Sequence, residues 1–137
     1  MLKLCLGFLG GGCGASLRYG AGVLVARMTP ADADTPHWLS MYPVATFGVN
    51  LLGCALIGLA WGLLGEPKEG DEAIRLALVV GVLGGFTTFS SFGWEMLDLM
   101  QGGRAGPAMV YAALSVGIGL LCAWAGHALG LSLSAGS

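Results

Sequence analysis

Four long apolar stretches, separated by short polar ones, make up almost the whole chain. They cover residues 4–26, 43–64, 73–100 and 107–131. Each exceeds the roughly 20 residues that a helix needs to cross the hydrocarbon core of a bilayer. The connecting segments read as loops. Residues 29–41 carry Pro30, Asp32, Asp34, Pro36 and His37, residues 65–71 carry Pro67, Lys68 and Glu69, and residues 101–106 carry Gly102, Gly103 and Arg104. Pro43 and Pro107 suit the first turn of a helix, where a missing N–H costs nothing. The pattern predicts one domain over 1–137, built of four membrane helices. The small, polar residues 132–137 read as a frayed tail. The first stretch is too long and too rich in glycine for a secretory leader, and no convincing cleavage region follows it, so no cleaved signal is expected.

The third stretch breaks its own pattern. Gly84 and Gly85 stand in mid-segment, and Phe86, Thr87, Thr88, Phe89, Ser90, Ser91 and Phe92 follow at once. Adjacent glycines disfavour a helix interior by about 1 kcal/mol each. Broken backbone survives at membrane depth only where protein or water covers it. An interruption at the glycine pair is therefore expected to form a buried site of backbone groups, hydroxyls and rings.

Composition settles the class. The 137 residues are 55% hydrophobic and 10% charged, with a mean hydropathy of +0.79. A soluble domain carries about 25% charged residues, so this is an integral membrane protein. A formal charge of −2 and the absence of a basic run argue against a nucleic-acid partner. With four spans, Lys3, Lys68 and Arg75 fall on one side and Arg27 and Arg104 on the other. That bias is too small to fix orientation by the positive-inside rule. Insertion both ways round, and hence an antiparallel homodimer, stands level with a single weakly specified topology. Cys5, Cys13, Cys54 and Cys122 are scattered without CxxC spacing and read as small buried hydrophobes.

Candidate chemistry is sparse and lies inside the spans. Arg18 is deep in the first one, at a cost of about 2.5–3.5 kcal/mol near the bilayer centre. It reads either as an anion attractor at a wet vestibule or as a structural Arg on helix-end carbonyls. The run 10–15 loosely matches a nucleotide fingerprint, but no strand precedes it. Its glycine spacings (Gly7/Gly11, Gly10/Gly14), like Gly58/Gly62 and Gly81/Gly85, fit close helix packing instead. Thr46 and Asn50 share a face of the second span, where an interhelical hydrogen bond is the plain alternative to a functional role. Tyr111 and Ser115 share a face of the fourth, with Gly119 a turn further on. They read as a donor track, or as a belt aromatic and a serine bonded back to its own helix. Phe89 and Phe92 are three apart, as are Thr88 and Ser91, and Glu95 and Asp98 follow near a span end, where they read as simply wet, or Glu95 as the cap of a pathway. Phenyl edges carry partial positive charge and can face an anion weakly. His37 and His127 belong to no catalytic spacing, so an enzyme is not expected.

Together these residues resemble the Fluc (CrcB) fluoride channel family. Gly11-Gly12-Cys13-Gly14-Ala15-Ser16-Leu17-Arg18-Tyr19 is similar to its GGxxGAxxRY, Thr46 to Gly53 to its TLxVNxxG, and Gly84 to Phe92 to its GGxTTFSTF. The resemblance implies an antiparallel dual-topology homodimer with two fluoride pores, in a plasma membrane such as a bacterial inner membrane. It implies a central sodium ion held by backbone carbonyls, here of Gly84 and Thr87 from both subunits. It assigns the fluoride path to Asn50, Phe89, Phe92 and a polar track of Thr88, Ser91, Tyr111 and Ser115, with Glu95 beyond the rings and Arg18 at the vestibule. Ser91 stands where the family usually has Thr, Ala45 where Gly precedes the Thr, and Gly119 where some members continue the track.

The expected function is passive, fluoride-selective export that lowers fluoride toxicity. The alternatives are a small four-helix multidrug transporter and a non-transporting assembly subunit. Proton-coupled cation export would want a carboxylate deep in a span, classically the first, which here has none. An assembly subunit would leave Asn50, Arg18 and the Phe–hydroxyl turn without a purpose.

Overall fold

The computed structural model describes residues 1–28, 41–66 and 70–136, and every regular element among them is helical. The loop expected at 29–41 therefore lies, apart from Met41, outside the described residues, as do Pro67, Lys68 and Glu69. Helix α1 is Leu2–Met28 and α2 is Met41–Leu64. The third stretch is composite. A turn of helix, α3 (Glu72–Ile74), runs into a π-helical segment, Arg75–Leu83, and then into α4, Gly84–Phe86. After an extended pair, Thr87 and Thr88, the chain resumes as α5, Phe89–Gln101. A turn through Gly103, at φ 73°, leads to α6, Ala105–Ala135. The tail is thus more ordered than its composition implied. Helix α6 runs on to Ala135, and the hydroxyls of Ser132 and Ser134 donate to the carbonyls of Leu129 and Leu131 within it.

Among the described residues, three runs are long and apolar enough to cross a membrane: Pro43–Leu64, Glu72–Gln101 and Ala105–Ala135. Leu2–Met28 is as long, at 27 residues, but its glycines and Arg18 lower its hydropathy and it is not among the three.

The core is made by backbones that touch. Without a hydrophobic drive between helices in lipid, association depends on close van der Waals packing, and small residues let backbones approach. On α1, a Cβ at Gly10 would stand 2.5 Å from the Ala77 carbonyl oxygen and 3.0 Å from the Gly81 Cα. One at Gly85 would stand 2.5 Å from the Gly11 oxygen. This seam holds α1 on the π segment and α4. A second seam joins α2 to α6, where Gly58 and Gly62 meet Ala123, His127 and Gly130, and Gly126 meets Ala55. The pairs read from spacing at 10/14, 58/62 and 81/85 are therefore contacts, whereas a Cβ at Gly7 would meet nothing within 4 Å.

From sequence, Arg75 entered only the balance of charges between the two sides, and the structure gives it a definite place. It is buried, at 9% exposure. Its Nη2 donates to the Leu64 carbonyl at 2.9 Å and to that of Gly65 at 2.7 Å, and its guanidinium lies 4.9 Å from the centre of the Trp61 ring. The last carbonyls of a helix lack intrahelical donors, and Arg75 supplies them to α2, tying its end to the third stretch. Lys3 and Glu72 form an exposed ion pair that links the start of α1 to α3.

Candidate functional site

The interruption expected at Gly84–Gly85 lies three residues later. Gly84 is helical, at φ −65° and ψ −36°, and belongs to α4 with Gly85. Gly85 is a glycine because α1 presses on it, not because the chain turns there. The turn is at Thr87, with ψ 157°, and Thr88, with φ −147° and ψ 117°. Two hydroxyl residues and one amide from a neighbouring helix produce it. The Thr88 hydroxyl accepts from the Ser91 N–H at 3.2 Å and so caps α5. It also donates to the Ser91 hydroxyl at 3.1 Å. Asn50, on α2, meets the extended residue as a strand would. Its Oδ1 accepts from the Thr88 N–H at 2.9 Å and its Nδ2 donates to the Thr88 carbonyl at 3.1 Å. Both backbone groups of Thr88 are thereby satisfied inside an apolar bundle, as burial demands.

These bonds redirect donors. The helical partner of the Gly84 carbonyl is the Thr88 N–H, which goes to Asn50. The helical partner of the Thr87 carbonyl is the Ser91 N–H, which goes to the Thr88 hydroxyl. Two mid-span carbonyls are thus left without their usual i+4 donors. The Gly85 carbonyl receives Arg18 Nε at 3.4 Å. Arg18 therefore approaches a helix-end carbonyl, one of its two readings from sequence, and it also lines a cavity of about 310 Å³ with Thr46, Val49, Thr88 and Ser91.

One helical turn into α5, rings and a carboxylate meet α6. Phe89 and Phe92 lie 5.8 Å apart between centroids, Phe92 and Tyr111 5.2 Å, and Phe47 and Tyr111 6.3 Å. Glu95 is buried, at 9% exposure, so the reading that it is wet is corrected. The Thr46 hydroxyl donates to its Oε1 at 2.5 Å and the Tyr111 hydroxyl to its Oε2 at 2.8 Å. A carboxylate this deep persists only with such partners. Tyr111 is half-buried and bonded to Glu95, not a belt residue.

Ser115 is the telling member of the track. Its hydroxyl is buried and has no hydrogen-bond partner, so it is not bonded back to its own helix. It lines a second cavity, of about 320 Å³, with Asn50, Cys54, Thr87, Thr88, Phe89 and Phe92. Among the residues singled out from sequence, Asn50, Thr87, Thr88, Phe89, Phe92 and Ser115 share this cavity, and Arg18, Thr88 and Ser91 share the other. Glu95 and Tyr111 sit beside them through Thr46 and Phe92, and Gly84 enters through its redirected carbonyl. Cys54 and Phe47 were not singled out. The signal for Cys54 was its place four residues after Asn50, on the same face of α2.

Residues 5–127 match the family model described as CrcB-like protein, Camphor Resistance (CrcB). A protein of Thermus thermophilus named fluoride-specific ion channel FluC is 46% identical over 97% of this chain and 98% of its own. The channels of the same name from Pseudomonas fluorescens and Chloroflexus aurantiacus are 39% and 42% identical, over 94% and 89% of this chain and 98% and 90% of theirs. With the match covering nearly the full length, the chain belongs to the CrcB-like family of membrane proteins.

Proposed function

We propose that the protein is a passive, fluoride-selective ion channel, not an enzyme, that lets fluoride leave the cell down its gradient. The observation that carries this reading is the interrupted third helix, with an unpartnered Ser115 hydroxyl, the Asn50 amide and two phenyl rings around one cavity. The relatives named fluoride-specific channels agree with it.

The chemistry follows from the break. A helix ends with positive partial charge at its N-terminus and negative at its C-terminus. Ending α4 and starting α5 within the span puts a positive end beside the cavity that holds Ser115 and the phenyl rings. Fluoride is small and strongly hydrated, so a path must offer donors in place of water. The Ser115 and Ser91 hydroxyls, the remaining N–H of the Asn50 amide and the phenyl edges are the donors; Tyr111, whose proton goes to Glu95, borders the path with its ring, and Arg18 attracts the anion at the vestibule. Glu95 takes its place among these groups through Tyr111 and Thr46, where it holds two hydroxyl rotors in one orientation.

The negative end suits a cation. The Gly84 and Thr87 carbonyls, deprived of their helical donors, would hold a sodium ion, a hard cation that takes oxygen ligands. Bound there it would supply fixed positive charge beside the anion path. Two carbonyls from one chain are too few for such an ion, so a second copy would complete the shell. A two-fold antiparallel homodimer, with α1 as the fourth span of each chain and the plasma membrane as its site, meets that need. Phe89, 84% exposed beside the polar turn, would be covered by it.

Purified protein in liposomes, followed with a fluoride electrode, is expected to release fluoride and retain chloride. An absence of fluoride efflux would sink the channel reading, and equal passage of chloride would sink its selectivity. In the same assay, Phe89→Ile and Phe92→Ile are each expected to cut fluoride flux about tenfold with the fold intact. That is what losing about 1–2 kcal/mol at an ion-facing ring does to a barrier. Unchanged flux in both would make the rings packing alone.

A further inference from the structure

The donor track on α6 has a gap. Tyr111, Ser115 and Gly119 fall at successive turns of one face, and Gly119 is buried and carries no side chain. The space it leaves is not empty. A Cβ at Gly119 would meet the Cys54 Sγ at 3.5 Å, ahead of its next neighbour, Leu51, at 4.0 Å. Cys54 lies one turn beyond Asn50 on α2, as Gly119 lies one turn beyond Ser115 on α6, so the two helices face each other at matching levels. Cys54 also lines the cavity that holds Asn50, Ser115 and the phenyl rings. In that cavity the Ser115 hydroxyl is buried without a partner, which marks the wall as built for something the chain itself does not provide.

We infer that the Cys54 thiol lines the ion path one turn beyond Ser115 and is the donor there in place of a side chain at position 119. The inference rests on the channel reading above and adds a residue to it. An S–H group is a weak donor, and its sulfur is a weak acceptor. A weak site at the far end of the track suits conduction, which needs binding firm enough to enter and loose enough to leave. The glycine and the cysteine are then two halves of one arrangement: the absent side chain at 119 makes room for the sulfur from the opposite helix.

Fluoride efflux from liposomes tests this with Cys54→Ala, Cys54→Ser, the double variant Cys54→Ala with Gly119→Ser, and Cys5→Ala, an exposed residue of α1, as a control outside the cavity. Each variant is first checked for monodispersity in detergent. Cys54→Ala is expected to slow efflux about fivefold, the effect of one modest hydrogen bond on a barrier. Cys54→Ser should match or exceed the unmodified chain, and Gly119→Ser should restore efflux to Cys54→Ala by offering a hydroxyl from the other helix. Cys5→Ala should leave it unchanged. Full efflux in Cys54→Ala would overturn the proposal, and so would equal losses in the alanine and serine variants, which would make Cys54 packing. If the unmodified chain released no fluoride, the channel reading itself would fail, a result distinct from both.

Discussion

Replacing Asn50 with leucine is expected to abolish most fluoride flux and to loosen the third helix. Leucine keeps the volume but removes both hydrogen bonds to Thr88, leaving its N–H and carbonyl buried without partners. Each such orphan costs about 1–3 kcal/mol. The chain can relieve that cost by drawing the Thr88 N–H back toward the Gly84 carbonyl, which straightens the break and withdraws the carbonyl from any cation. Flux measured in liposomes should fall by roughly two orders of magnitude, since a path donor is lost and the break is disturbed together. Thermal unfolding in detergent should shift downward as well. Flux within about twofold of the unmodified chain, less than 1 kcal/mol on the barrier, would show that Asn50 neither holds the break nor faces the ion.

Gly58→Ala is expected to destabilise the protein as strongly as any single methyl group can. The added Cβ would collide with the Ala123 carbonyl oxygen, 2.9 Å from the carbonyl carbon and 3.0 Å from the His127 nitrogen. Those are backbone atoms of α6, which have no rotamer to yield. Overpacking a tight contact costs about 1–3 kcal/mol where side chains can adjust, and here α2 and α6 must separate instead. A matched change, Gly117→Ala on α6, adds a Cβ that meets nothing within 4 Å. It should leave the unfolding temperature unchanged or slightly raised, because alanine is the better helix former by about 1 kcal/mol. Equal behaviour of the two variants would mean that the α2–α6 seam does not depend on backbone contact. Fluoride flux should follow the same order, because Asn50 rides on α2 and Ser115 on α6.

Much of the site was legible along the chain, residue by residue. Asn50, Thr88, Phe92 and Ser115 were singled out from the sequence, each with a plain packing alternative beside it, and they share one cavity. The glycine pair misled in an instructive way. Two glycines suggested a broken helix, yet they are helical, and the missing Cβ of Gly85 serves the neighbouring α1. The break belongs to threonine, through the Thr88 cap and the amide of Asn50, 38 residues away. Glu95 stood near a span end with a wet reading open to it, and Arg75 entered only the count of charges on one side. Their partners, Thr46, Tyr111 and the Leu64 and Gly65 carbonyls, are contributed by other parts of the chain, which no local pattern shows.

The sequence by itself determined the class, the apolar runs and the chemical inventory. Hydropathy over some 20 residues is a local property, and the hydroxyls, amides and carboxylates that an apolar run carries are read directly from it. Only the tertiary structure decided where the helix breaks, which carbonyls lose their donors, and that Cys54 stands in the space left by Gly119. Each of these depends on which backbones approach within van der Waals contact, and in a membrane that choice lies with small residues meeting across helices rather than with any one segment.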